Sequence, residues 1–221
     1  MFNSELEMQK IFVSFLKNEH LENTFISEEF NARFGNVDIV KVKYKNRQPI
    51  SNAQAIILSN IACAKIVGYL HKNSVRTLKY LISKTGFTSE YVLSLLAKLK
   101  REKVIEEIYY HKYIINSQFV FPKLTFTSYE AKLTDWKKAV SQAIKNQKFS
   151  TESYVVMPEK ITKSVFQKHK DYFKLYKIGL ISINEYGYKI YIKAGIQKKN
   201  YSRASTICSI AKYLMLEKQY V

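Results

Sequence analysis

The chain has 221 residues, of which 47% are hydrophobic and 14% are aromatic. This composition excludes a disordered polar tail and provides enough apolar material for one large domain or two small ones. Lys and Arg number 36 against 18 Asp and Glu, and the net charge of +18 points to a polyanionic partner, in the first place nucleic acid.

Hydropathy and cysteine content narrow the class of protein further. No apolar run reaches membrane-spanning length, and the first residues lack a signal-peptide pattern. We therefore expect a cytoplasmic protein with no membrane partner. Cys63 and Cys208 lie far apart in apolar segments, which favours reduced, buried thiols over a disulfide framework. The four histidines are scattered and show no zinc-binding spacing.

The acidic residues are concentrated near the N-terminus. Residues 1–40 hold seven acidic and three basic residues, so the rest of the chain carries a net charge of +22. A basic body with one acidic corner suits a metal-dependent enzyme that acts on phosphodiesters, because carboxylates must collect somewhere to hold the cation. A chance clustering of acids is the alternative.

Residues 4–17 predict an amphipathic helix with Ser4 or Asn3 as its N-cap. The predicted buried stripe is formed by Met8, Ile11, Phe12, Phe15 and Leu16. At 100° per residue Glu5 falls within this stripe, whereas Glu7 points away from it. Two interpretations of Glu5 stay open: a first-turn carboxylate that complements the helix dipole, or a side chain that reaches into a site where the helix crosses a sheet.

Two strands are predicted next, over 25–30 and 37–44, joined by a turn over 31–36 that contains Gly and Asn. Asp38 is embedded among β-branched residues of the second strand. Because Asp is disfavoured in strands and costly to bury unpaired, it calls for a cation or several hydrogen bonds. A capping role at the start of the strand is the alternative.

The character of the chain then changes to helical. Residues 53–71 predict one helix rich in Ala, Ile and Leu. A helix over 74–84, a glycine-bearing turn and a helix over 89–101, capped by Thr88 or Ser89, form a helix-turn-helix pattern.

Residues 102–115 predict a two-stranded wing, so that residues 53–116 together resemble a winged helix-turn-helix module. The side of the last helix away from its leucines exposes Ser94, Lys98 and Arg101, which we predict to be DNA-binding residues. Because only two of these side chains are cationic, protein contacts are an equally open use of the module.

Strand character returns over residues 119–133, which contain the sequence Glu130-Ala131-Lys132. Side chains alternate along a strand, so Glu130 and Lys132 are predicted to project from one face. A solvated ion pair on an edge strand is the simple interpretation of this pattern alone.

The remaining segments alternate between helix and strand. Helices are predicted over 135–149, 162–175 and 201–219, and strands over 153–158, 179–184 and 188–192. Thr134 is the predicted cap of the first of these helices, and Lys137 and Lys138 lie on its outer, basic side as further DNA-binding candidates.

The order of these elements resembles the core of the PD-(D/E)XK nuclease superfamily, the restriction-endonuclease-like fold. That order is a helix with Glu5, a strand with Asp38, a strand with Glu130 and Lys132, a helix with Gln142, and a short apolar strand. The resemblance implies an α/β fold: a mixed sheet flanked by helices and interrupted by the winged helix-turn-helix module. The implied parts are residues 1–50 and 117–221 for the nuclease core, the latter with the C-terminal helix, and 51–116 for the insertion.

The resemblance also implies a catalytic set and a cofactor. Asp38, Glu130 and the Ala131 carbonyl would hold Mg²⁺, or Mn²⁺ in its place, with Glu5 completing the shell directly or through water. Lys132 would orient the attacking water or stabilise the transition state, and Gln142 would help to position the site. The implied activity is hydrolysis of DNA phosphodiester bonds, as in restriction, phage defence or transposition.

Two other functions stay open at this stage. The first is a non-catalytic DNA-binding regulator in which the winged module carries the function. The second is a nuclease subunit that acts only within a larger nucleoprotein complex. A homodimer also stays open, because one active site cuts one strand and cutting both strands ordinarily requires two sites.

Overall fold

The computed structural model describes residues 2–19, 21–32, 35–46, 50–196 and 201–217. In chain order the helices are α1 (Glu5–Asn18), α2 (Asn52–Ser59), α3 (Ile61–Tyr69), α4 (Leu78–Thr85), α5 (Ser89–Arg101), α6 (Trp136–Asn146), α7 (Glu159–Tyr176) and α8 (Arg203–Glu217). The strands are β1 (Thr24–Asn31), β2 (Asn36–Asn46), β3 (Arg76–Thr77), β4 (Ile105–Tyr109), β5 (Lys112–Ile115), β6 (Lys123–Ala131), β7 (Glu152–Pro158), β8 (Gly179–Asn184) and β9 (Gly187–Ile192). Within the described ranges, no helix combines the length and apolarity needed to cross a membrane.

The chain divides into two compact units, and each is built from two separate stretches of sequence. The first unit is formed by residues 1–45 and 124–201, and the second by residues 46–123 and 202–221. The first unit is α/β, with a six-stranded mixed sheet flanked by helices. The predicted α/β class and mixed sheet are therefore confirmed.

The six strands of the first unit lie in the order β1-β2-β6-β7-β8-β9. Strands β1 and β2 form an antiparallel hairpin, β6, β7 and β8 run parallel to one another, and β9 is antiparallel to β8. The Thr125 hydroxyl donates to the Lys43 carbonyl and the Ala131 amide donates to Asp38. These two contacts mean that β2 and β6 run in opposite directions, which brings the start of β2 to the end of β6.

Both faces of this sheet are buried, each against different helices. Helix α1 packs on one face, where Met8 and Phe12 meet Tyr129 of β6. Helices α6 and α7 pack on the other face, where Val140 and Phe173 belong to a second core. Strand β7 alternates between the two cores, which explains why its sequence is an unbroken apolar run.

Helix α1 forms as its sequence predicts. The Ser4 hydroxyl caps it by accepting from the backbone N–H of Glu7 at 3.0 Å. Met8, Phe12 and Leu16 are buried, so the predicted stripe is confirmed at its centre. The stripe fixes the rotation of the helix, and the rotation carries Glu5 to the edge of the sheet.

The second unit contains two neighbouring helices and three strands over residues 76–115. Helices α4 and α5 are separated by Gly86, whose left-handed backbone ends α4, and Thr88 caps α5. A three-stranded sheet of order β3-β5-β4 follows, with β4 and β5 antiparallel. The short strand β3, which the sequence pattern did not predict, pairs with β5.

The single helix predicted over 53–71 is wrong, because the structure has two helices there. Asn60 interrupts the segment in an extended conformation (ψ 119°), and its side chain accepts from the backbone N–H groups of Ala62 and Cys63. An Asn side chain that caps a new helix start competes with continuation of the helix before it.

The C-terminal helix is the second difference from prediction. We expected α8 to belong with the nuclease core, but it lies in the second unit and packs against α2 and α3. The Arg203 guanidinium donates to the Gly68 carbonyl, and the Cys208 thiol donates to the Ser59 carbonyl. Cys63 and Cys208 are both buried and are not joined in a disulfide, as predicted.

Several predicted boundaries differ by a few residues. Strand β6 begins at Lys123, later than the expected start at residue 119, and α7 begins earlier, at Glu159. Arg33 and Phe34 of the predicted turn, and residues 218–219 of the predicted last helix, lie outside the described residues.

The cap of α6 also differs from prediction, because Asp135 takes the place expected for Thr134. The Asp135 carboxylate accepts from the backbone N–H of Lys138 at 3.0 Å. Thr134 contributes only its backbone carbonyl, which accepts from the amide of Trp136. Helix α6 carries Gln142, so this cap helps to hold a predicted site residue.

We expect Asp135→Ala to lower the free energy of unfolding by about 0.5–2 kcal/mol, because an uncapped helix start loses a hydrogen bond to its backbone. Thr134→Ala is the matched control and should change stability by less than about 0.5 kcal/mol. Urea denaturation followed by circular dichroism measures both. Equal losses in the two variants would contradict the assignment of Asp135 as the cap.

Candidate active site

Four of the predicted site residues of the first unit meet where β6 ends beside the start of β2: Glu5, Asp38, Ala131 and Lys132. Asp38 accepts a hydrogen bond from the Ala131 amide at 2.8 Å through its Oδ2 atom. This contact joins residues 93 positions apart in the sequence. The neighbouring strands β2 and β6 therefore bring Asp38 to the Glu130-Ala131-Lys132 segment, as the resemblance implies.

Lys132 lies at the centre of the polar contacts. Its ammonium donates to Glu5 Oε2 at 3.1 Å, to Asp38 Oδ2 at 3.3 Å and to the Ala131 carbonyl at 3.0 Å. The Lys132 side chain is 9% exposed, the Asp38 side chain 12% and the Glu5 side chain 43%. An ammonium so deeply buried depends on these oxygen partners, because a buried charge without them is costly.

The Glu130 carboxylate turns to a different partner. Its Oε1 atom accepts from the Asn146 amide of α6 at 2.7 Å. Its Oε2 atom is buried and has no hydrogen-bond partner among the described residues. At 1% exposure, Glu130 is thus a nearly inaccessible carboxylate with one unsatisfied oxygen.

The predicted common orientation of Glu130 and Lys132 is therefore not seen in their contacts. Glu130 bonds to Asn146 of α6 on one side of the sheet, whereas Lys132 bonds to Glu5 of α1 on the other. The reason is that β6 ends at Ala131, so the side-chain alternation of the strand does not extend to Lys132.

Burial dominates the electrostatics of Glu130. Burial and, after it, the negative charge of Asp38 raise the pKa of Glu130 from its ordinary value of 4.5 to about 8. The Asn146 hydrogen bond and the Lys132 charge lower this pKa in part. The two carboxylates are consequently near enough to repel each other, and the protein favours the neutral form of Glu130 at neutral pH.

Lys132 shows the opposite balance. Burial by itself lowers the pKa of Lys132, but the charges and hydrogen bonds of Asp38 and Glu5 outweigh burial and raise it above its ordinary value. The ammonium is therefore held in its charged form by the two carboxylates.

Gln142 lies apart from the Lys132 cluster and lines a cavity of about 310 Å³ beside Glu130. Its Oε1 atom is buried and has no hydrogen-bond partner among the described residues. Gln142 and Glu130 therefore line the same cavity, and each has one acceptor oxygen without a hydrogen-bond partner among the described residues.

The predicted metal ligands do not form a ready-made cluster. Within the described ranges, no three His, Cys, Asp or Glu side chains stand close enough together to hold a metal ion. The geometry gives the reason: the Lys132 ammonium lies among oxygen atoms of Glu5, Asp38 and Ala131, while Glu130 is turned toward α6.

The predicted DNA-binding residues lie on two exposed helix faces, one in each unit. In the second unit, Ser94, Lys98 and Arg101 are exposed on α5. Ser94 donates to a backbone carbonyl of its own helix, and Arg101 pairs with Glu102. Only Lys98 of these three side chains is free of a partner among the described residues.

In the first unit, the two predicted lysines of α6 have different surroundings. The Lys137 ammonium lies 5.9 Å from the centre of the Trp136 ring. Lys138 lines the cavity beside Glu130 instead. The two adjacent lysines therefore face different parts of the surface.

Asn146 is the site residue that the sequence pattern missed. It lies on the buried stripe of α6 with Ala139, Val140 and Ala143. A polar side chain on an otherwise apolar stripe needs a buried partner, and this was the signal that could have revealed it. Its partner is Glu130, 16 positions earlier in the sequence.

The raised pKa of Glu130 predicts a pH dependence of stability. Between about pH 4.5 and pH 8 the folded protein keeps a proton that the unfolded chain releases, so the free energy of unfolding should fall as pH rises through this range. The fall should reach at most about 5 kcal/mol. Urea denaturation in the presence of EDTA, over a series of pH values, measures it.

Glu130→Gln is the matched variant for this measurement, because it keeps the shape of the side chain and removes the titration. Its stability should vary much less with pH over the same range. A wild-type curve as flat as that of the variant would show that Glu130 does not titrate in this range.

No known protein matches this chain significantly in a scan of protein-family models, a search of curated proteins or a search of solved structures.

Proposed function

We propose that this chain is a divalent-cation-dependent DNA endonuclease of the PD-(D/E)XK, or restriction-endonuclease-like, superfamily. The observation that carries the proposal is that Lys132 pairs with Asp38 at the adjoining ends of β2 and β6, beside the buried Glu130 carboxylate. When carboxylates and an ammonium are buried together, the free energy lost on desolvation offsets most of their mutual attraction, so they stabilise the fold little. Buried ionisable groups of this kind cluster at functional sites. The net charge of +18 supports a polyanionic substrate.

The residues present fit a divalent cation such as Mg²⁺ or Mn²⁺. Glu130 has a buried oxygen without a hydrogen-bond partner among the described residues, and burial together with the charge of Asp38 raises the pKa of Glu130. A cation held by these two carboxylates and the Ala131 carbonyl would satisfy that oxygen and remove the repulsion. Mg²⁺ is commonly bound by one or two carboxylates together with water and substrate phosphate, so a cluster of three acidic side chains is not required.

The protein's own side chains divide the remaining work. Asn146 holds Glu130 Oε1 and so fixes the orientation of the carboxylate. Glu5 and Asp38 hold the Lys132 ammonium beside them, where it would orient an attacking water or offset charge that develops on the phosphodiester. The bound cation would supply Lewis acidity to that water and to the phosphate. Gln142 would position the substrate from the cavity beside Glu130.

The second unit would serve as a winged helix-turn-helix module that positions DNA or a protein partner. Its support is the pairing of α4 and α5 across Gly86, together with the three-stranded sheet of β3, β4 and β5. The exposed face of α5 carries Lys98, which has no ion-pair or hydrogen-bond partner in the part of the chain that the structure describes. The same features favour the second candidate function, a DNA-binding regulator that does not cleave. A nuclease subunit that acts only within a larger complex is a variant of the proposed nuclease.

A cleavage assay tests the proposal. Supercoiled plasmid, linear duplex and single-stranded DNA are incubated with the protein in Mg²⁺, Mn²⁺ or EDTA. We expect cleavage in Mg²⁺ or Mn²⁺ and none in EDTA. Asp38→Asn should lower the rate at least about 100-fold, because it removes a charged ligand that the reaction needs.

Glu7→Gln is the matched control, since Glu7 lies on α1 near Glu5 but bonds the amide of Asn3 instead of Lys132. It should cleave like wild type. Folded wild-type protein that binds DNA but cuts no substrate with either cation would contradict the nuclease and favour the regulator. Cleavage that appears only after a second protein is added would identify the complex.

A further inference from the structure

The cavity beside Glu130 is lined by two lysines and a serine that have no role in the proposed catalytic set. Its wall on the helix side is formed by four side chains of α6: Lys138, Ser141, Gln142 and Lys145. Their spacing of three, four and seven residues places them on one face of the helix. The turn side is formed by Gly35 and Asn36.

Both lysines of this wall have free ammonium groups. Neither the Lys138 nor the Lys145 ammonium has an ion-pair or hydrogen-bond partner among the residues that the structure describes, and both side chains are exposed. They stand about 10 Å apart along the helix axis. Two unpaired cations at the rim of one cavity create a local positive potential that attracts an anion.

The interior of the cavity adds polar groups that lack partners. Glu130 is 1% exposed and lines the cavity. Its Oε2 atom and the Gln142 Oε1 atom are buried acceptors without a hydrogen-bond partner among the described residues, and the cation of the proposed function would satisfy the first of them. The donors toward an anion are the Gln142 amide nitrogen and the Ser141 hydroxyl. A cavity of about 310 Å³ with several convergent polar groups has the character of a ligand-binding site.

We infer that this cavity, formed by the Lys138–Lys145 face of α6 together with Gly35 and Asn36, binds a backbone phosphate of the nucleic-acid strand on which the site acts. The inference rests on the proposed function, because it places the phosphate next to Glu130. The lysines supply the charge, and Ser141 and Gln142 supply neutral donors. Such contacts fix the position of the strand without reading its sequence.

Salt-dependent DNA binding tests the inference without any need for cleavage. A short fluorescein-labelled DNA, single-stranded or duplex, is titrated with protein in EDTA, and fluorescence anisotropy gives Kd over a series of salt concentrations. Wild type is compared with Lys138→Gln, Lys145→Gln and the double variant. The slope of log K against log salt is negative. Each loss of a phosphate contact should make it shallower, by about 0.9 on duplex DNA or about 0.7 on single-stranded DNA.

Lys10→Gln is the matched control, because Lys10 is an exposed lysine of α1, which packs on the face of the sheet opposite to α6 and its cavity. It should leave the slope unchanged. A double variant with the wild-type slope would overturn the inference, and so would an equal loss in Lys10→Gln, which would indicate general surface attraction. Circular dichroism checks that each variant is folded.

The outcomes separate this inference from the proposed function. If wild type cuts DNA with Mg²⁺ but the double variant binds with an unchanged slope, the phosphate site is wrong and the nuclease stands. If the slope falls as expected but wild type never cuts, the phosphate site stands and the nuclease is wrong.

Discussion

The burial of charge at the end of β6 is the constraint on which the rest of the site depends. Glu130 and Lys132 are 1% and 7% exposed, and ionised groups so deeply buried must find partners or change protonation state. Lys132 finds Glu5 and Asp38, whereas Glu130 finds only Asn146 for one of its oxygens. The site is therefore complete around its ammonium and incomplete around its central carboxylate. A divalent cation is the partner that would balance it.

Much of the fold of the first unit follows from patterns that are local in sequence. The apolar stripe and Ser4 cap predict α1, and the unbroken apolar run predicts β7. The failures occur where one polar side chain decides between two local structures. Asn60 ends one helix by capping the next, and Asp135 caps α6 in place of Thr134. The position of α8 in the second unit depends on long-range packing against α2 and α3, which periodicity alone does not encode.

The site residues were predictable where an acidic side chain occupies a position that the sequence pattern predicts to be buried. An Asp within a strand and a Glu within an apolar stripe both signalled contacts, and Asp38 and Glu5 do meet Lys132. Asn146 carried a weaker signal of the same kind and was missed. The orientation of Glu130 away from Lys132 could not be predicted, because it depends on where β6 ends. The grouping of Lys138, Gln142 and Glu130 around one cavity likewise depends on how α6 packs on the sheet.

At the centre of the proposed site, Asp38 and Glu130 would together hold a divalent cation. Anomalous diffraction from crystals grown with Mn²⁺ tests this proposal most directly. We expect an anomalous peak within bonding distance of both carboxylates, with Glu130 Oε2 as one ligand. A map with no ion at this position, in which Glu130 still bonds only to Asn146 and Lys132 alone joins Glu5 to Asp38, would contradict it.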